Sequence, residues 1–145
     1  MKSKIVLGVI LAAIMGIVLH YPGVATAGDV VVIVNKSVST SSISGSDLEN
    51  IFLAKKTEWD NGQKIDFVTL QDCPTHDDFL KNYLKKTSSQ FQRYFRTLVF
   101  TGKGKAPQAF NTEQRLVEYV AGTAGAIGYV SSGTDTSTVK VLTVN

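Results

Sequence analysis

The chain has 145 residues, 15 Lys and Arg against 12 Asp and Glu, a net charge of +3 and a single cysteine. That length suits one small domain, and one cysteine excludes an internal disulfide framework. The charge is too small and too dispersed for a nucleic-acid tract or a polybasic membrane patch.

The first element is Met1–Ala27. Lys2 and Lys4 precede an apolar run from Ile5 to Leu19, and Val24-Ala25-Thr26-Ala27 places small residues at the −3 and −1 positions. This pattern predicts a secretory signal peptide cleaved after Ala27, hence a periplasmic protein, with residues 28–145 as its one domain. Cleavage removes both lysines and brings the remainder close to neutrality. It also removes His20, so His76 is the sole remaining histidine and a multi-histidine metal site is excluded.

Asp29–Asn35 (DVVVIVN) is β-branched without helical period and predicts a central strand. Lys36–Gly45 reads as a Ser/Thr-rich loop, and Ser46 with Glu49 three residues on reads as a capping box opening a helix to about Ala54. Leu48, Ile51 and Phe52 form its inward face. Lys55–Lys64 is a polar connection turning at Asn61-Gly62, with Trp59 read as a packing anchor. Ile65–Leu70 is a mostly apolar strand, Gln71–Pro74 an elbow, and a helix begins near Thr75 with Phe79, Leu80, Tyr83 and Leu84 inward. A second helix covers about Ser88–Val99, capped by Thr87 or Ser88, with Phe91, Tyr94, Phe95 and Leu98 inward. Its Arg93 and Arg96 fall together on a solvent face. Phe100–Phe110 reads as loop. Asn111 caps a helix to about Ala121, Ala126–Ser131 is a strand, and Val139–Val144 is a closing strand with Val139, Val141 and Val144 alternating. The order predicts an α/β fold, a mixed sheet with helices on both faces.

The elbow concentrates the reactive side chains. Backbone N–H groups at a helix start lack intrahelical partners and favour anions, and the carboxyl end of a strand is where open α/β sheets bind ligands. Candidate donors are Gln71, Thr75 and His76, joined by Ser37 and Ser39 from the end of the first strand. Cys73, His76, Asp77 and Asp78 could also suggest a thiolate paired with an imidazole or a metal site. Neither has a third partner or a motif around it. The simpler reading makes the aspartates dipole partners and leaves the chain non-enzymatic, without cofactor or metal.

Several blocks, in order, resemble the second lobe of the phosphate-binding subunit of bacterial ABC importers. They are Val31–Ser37, Leu48–Lys55 followed by Trp59–Gly62, Phe79–Leu84, Phe100-Thr101-Gly102 with Pro107, and Val117–Val120 running into Gly125-Ala126-Ile127-Gly128-Tyr129. The resemblance spans nearly all of Asp29–Ser132. It implies a single three-layer lobe, like one half of a type II periplasmic binding protein, that binds phosphate or another small oxyanion. It also implies as partners an ABC importer or other envelope protein, or a second copy of the chain in a homodimer. That family holds phosphate with an arginine at the strand end and a Ser-Gly-Thr helix start. Here Gln71 and Pro74-Thr75-His76 occupy those positions, and only Thr75 keeps its hydroxyl in register. The alternative is a lobe without ligand, an interaction module docking an envelope or membrane protein.

Overall fold

The computed structural model describes residues 29–145, and the predicted signal peptide lies outside them. The elements run β1 (Val30–Val34), β2 (Ser42–Ile43), α1 (Gly45–Phe52), β3 (Asp66–Leu70), α2 (Pro74–Phe79), α3 (Ser88–Phe100), β4 (Gln108–Phe110), α4 (Glu113–Gly122), β5 (Ala126–Ser131) and β6 (Lys140–Val144). One sheet, ordered β2-β6-β1-β5-β3-β4, forms the middle layer. β1 is antiparallel to both β5 and β6, whereas β3 is parallel to β5 and to β4. The fold is the expected mixed α/β lobe.

Alternation along the strands sorts the two faces. Phe67 and Tyr129 point to the layer containing α1, α2 and α3, where Phe52, Phe79 and Phe95 meet them. Gly128 and Val68 point the other way, against Leu116 of α4. The chain lacks Cβ atoms where α4 comes closest: a side chain at Gly128 would lie 2.6 Å from a Leu116 methyl. Tyr129 is fully buried and stacks on Phe79 with ring centroids 3.8 Å apart.

Several local expectations are corrected. Ser44, not Ser46, caps α1, its hydroxyl accepting from Asp47 N–H. Thr112, not Asn111, caps α4. In both cases the cap side chain lies three residues before the N–H it meets. Two segments read as loops each contain a short strand, β2 and β4, which the sheet recruits at its edges. In the closing segment Val139 is buried and Val144 packs against the core as expected, but in β6 Leu142 faces the core and Val141 is exposed. After Phe79 the helix widens into a π turn over Leu80–Leu84 before Lys85 ends it in the left-handed conformation. That wider turn brings Phe79 and Leu84, five residues apart, into the core and leaves Tyr83 half-buried.

Candidate functional site

The five residues expected to act together divide between opposite ends of the sheet. β1 is antiparallel to β5, with Val34 opposite Ile127, and β3 is parallel to it, with Asp66 opposite Ala126. The end of β1 therefore lies beside the start of β3, and the elbow that follows Leu70 lies at the other end. The length of β3, at roughly 3.3 Å per residue, sets a separation of about 15 Å. Ser37 and Ser39 are thus not elbow residues. Ser37 Oγ instead accepts from Gly125 N–H at 3.2 Å and from Gln63 Nε2 at 3.1 Å. Sequence reasoning assigned both serines to the ligand edge because strand direction is not written in a strand's composition.

Gln71, Thr75 and His76 do lie together. Gln71 is exposed, with its backbone N–H bonded to Phe110 O. Thr75 Oγ1 donates to Glu113 Oε1 at 2.8 Å. The Glu113 carboxylate also accepts from Ser131 N–H, Ser131 Oγ and Thr134 Oγ1. These four donors hold its pKa below the usual carboxylate value although burial pushes the other way. The Thr75 proton is therefore committed to an anion the chain itself supplies. α2 is six residues long, with Pro74 in its first turn and no side-chain cap from Cys73, so its start offers fewer N–H donors than the sequence suggests. Cys73 is half-buried and makes no hydrogen bond with His76 among the described residues. Nor do those residues contain a group of three or more His, Cys, Asp or Glu that could hold a metal.

His76 is 4% exposed. Its Nδ1 lies 2.5 Å from Tyr129 Oη, and that oxygen also accepts Leu70 N–H at 3.1 Å. Burial pushes the Tyr129 phenol far above its ordinary value and lowers the His76 pKa, against smaller opposing effects of Asp72 and Asp77. Leu70 N–H already donates to Tyr129 Oη, and His76 Nδ1 is the acceptor within reach of the phenol proton, so we assign Oη as donor to Nδ1 and the imidazole hydrogen to Nε2. Among the described residues Nε2–H has no protein partner, and the only sealed side-chain atom without one is Gln63 Oε1. Nε2 therefore keeps access to the space that His76 borders.

That space is an open groove of about 820 Å³ between the elbow, α3 and the approach to β4. Its polar members include Thr69, Gln71, His76 and Arg96, and Phe91, Phe95, Val99, Phe100 and Pro107 form its apolar wall. Thr69, 3% exposed, has no side-chain hydrogen bond among the described residues. Arg96, exposed, makes no salt bridge there. Asp72 is present too, its Oδ1 accepting from Ser88 Oγ at 2.8 Å and Gln92 Nε2 at 3.4 Å. Arg93 and Arg96 are both exposed, as expected, and Arg96 borders this groove while Arg93 borders a separate one on α3. Sequence analysis missed Arg96 because helical period gives the face but not what stands beside it. Gln71 brings a neutral amide and Arg96 a positive charge to the same lining.

No protein-family model matches the chain, and no curated protein matches its sequence. Solved structures do match. PstS from Borrelia burgdorferi aligns at 19% identity and a TM-score of 0.62, covering 81% of this chain and 47% of that one. The ABC-type phosphate transport receptor from Vibrio cholerae aligns at 18% identity and a TM-score of 0.55, with 80% and 46% covered. The phosphate binding protein from Stenotrophomonas maltophilia aligns at 19% and 0.58, with 81% and 39% covered. The chain therefore has the fold of a single lobe of such proteins and spans less than half the length of each.

Proposed function

We propose that the chain is an exported, periplasmic solute-binding lobe that takes a small oxyanion, phosphate foremost, in the groove beside the elbow. Gln71, His76 and Arg96 are its donors, with Thr69 at the floor. Its place is beside an ABC importer, where a second component completes the cleft. The observation that carries this reading is the convergence of a free guanidinium and a buried, unpartnered imidazole N–H on one groove. That groove lies at the strand-end elbow of a fold shared with phosphate-binding proteins. A desolvated N–H and an arginine both strengthen for a charged oxygen acceptor. Thr75 stands at the margin of the site, because an oxyanion that recruits it must take its proton from Glu113.

The test is the melting temperature in rising phosphate, with sulfate and chloride at matched ionic strength. A ligand at 100 times its Kd stabilises by roughly 2.7 kcal/mol, a rise of about 10 °C for a domain of this size. A phosphate-specific rise that Arg96→Gln reduces supports the site. No rise at millimolar phosphate overturns it.

A further inference from the structure

The wall of the groove fits more than four oxygens. Phe91 and Phe95 line it from the buried side of α3, and Val99 and Phe100 continue the same surface outward, exposed by 48% and 91%. Phe100 is the most exposed large hydrophobic residue among those described and lies at the end of α3, where its ring gains nothing from the core. A volume of about 820 Å³ falls in the range of pockets for drug-sized ligands, roughly 300–1,000 Å³, which combine an apolar lining with a few placed polar groups. Inorganic phosphate would leave this wall wet. Asp72 at the rim also counts against a small, densely charged dianion, and contact with the wall offsets that repulsion.

We infer that the groove takes an organic phosphomonoester, its phosphate against Arg96, Gln71 and His76 Nε2–H and its aromatic or aliphatic body along Phe95, Val99 and Phe100. The inference rests on the oxyanion reading above and narrows its ligand class. His76 is the group that ties the two halves of the ligand together. Its Nδ1 is engaged by the Tyr129 hydroxyl and its ring lies at 75° to that of Phe91 with centroids 5.8 Å apart, so the imidazole stands where the polar floor meets the apolar wall.

The experiment is titration calorimetry of the purified protein with inorganic phosphate, phenyl phosphate and phenol, repeated on Arg96→Gln and on the Val99→Ser/Phe100→Ser double variant. Both serine positions are exposed, so that variant should keep the fold, and circular dichroism checks this. Phenyl phosphate should bind at least tenfold more tightly than either phosphate or phenol. The double variant should remove most of that advantage while leaving phosphate unchanged, and Arg96→Gln should weaken both phosphates. Vesicles of phosphatidylcholine with and without phosphatidic acid distinguish a lipid phosphomonoester from a soluble one, and retention on the acidic vesicles identifies the lipid. Equal affinity for phosphate and phenyl phosphate would overturn the inference and leave the oxyanion site standing. Phenol binding as tightly as phenyl phosphate, or no binding by either phosphate, would overturn both.

Discussion

The two ends of the sheet differ in how they hold their most deeply buried polar groups, although the elbow end also contains the closed cluster of Glu113 with Thr75, Ser131 and Thr134. At the end where β1 finishes, the groups close on each other, with Gln63 Oε1 the one sealed acceptor left over among the described residues. Asn35 Nδ2 donates to the carbonyls of Val120 and Ala121, its Oδ1 accepts Ser37 N–H, Ser37 Oγ accepts Gly125 N–H, and Trp59 Nε1 donates to Gly125 O at 3.0 Å. At the elbow end, His76 and Thr69 are buried as deeply as Asn35, yet Nε2–H and the Thr69 hydroxyl open onto a groove. A buried polar group with all partners inside the protein is a structural tie, whereas one facing a cavity carries a desolvation cost that a ligand can relieve. The contrast separates scaffold from site without reference to any relative.

The contrast can be broken most severely at Gly125. Its φ is +76°, and an added Cβ would lie 2.1 Å from Lys64 O, a backbone atom that cannot swing aside. Gly125→Ala should cost about 3–5 kcal/mol by urea denaturation, and a loss below 1 kcal/mol would show the closed end to be looser than described. Trp59→Phe keeps an aromatic ring but leaves Gly125 O short of its indole donor, and should cost about 1–3 kcal/mol in the same assay.

At the open end the expected effects are smaller and depend on pH. Burial lowers the His76 pKa, so between that value and the unfolded value near 6.5 the unfolded chain binds the extra proton. Stability should therefore be fully present above about pH 6.5 and fall as the pH drops. His76→Gln should flatten the melting temperature between pH 7 and pH 5. An unchanged slope would mean that the imidazole titrates as though exposed. Phe100→Ser should be the mildest change, within about 0.5 kcal/mol of the parent, because a ring so exposed contributes nothing to the core. A large loss there would reassign the outer wall of the groove to the scaffold.

These two ends were unequally legible in the sequence. Trp59 as an anchor and Tyr129 as a core residue follow from their neighbours, a turn and a glycine-flanked strand, and β5 runs over the residues expected of it. Helix faces at Leu48, Ile51 and Phe52 follow from period alone. Where the chain pairs with distant partners, local pattern is silent. Nothing in Ser37 or Ser39 states that β1 opposes β3 in direction. Likewise nothing in Arg96 states that Gln71 and His76 line the same groove. β2 and β4, two and three residues long, carry too little pattern to stand out from loops and exist as strands because β6 and β3 are already beside them.

The position of β1 has a consequence for how the chain reaches this state. Its two neighbours, β5 and β6, come after all the other described strands, and Val30 pairs with Ser131, roughly a hundred residues later in the chain. The Val-rich strand at the middle of the sheet thus emerges before the other described strands and stays without these partners until about a hundred further residues have been made. Its folding should be slow, in the millisecond-to-second range of non-local topologies. A truncation before β5 would leave VVVIV as an unprotected edge and an aggregation hazard.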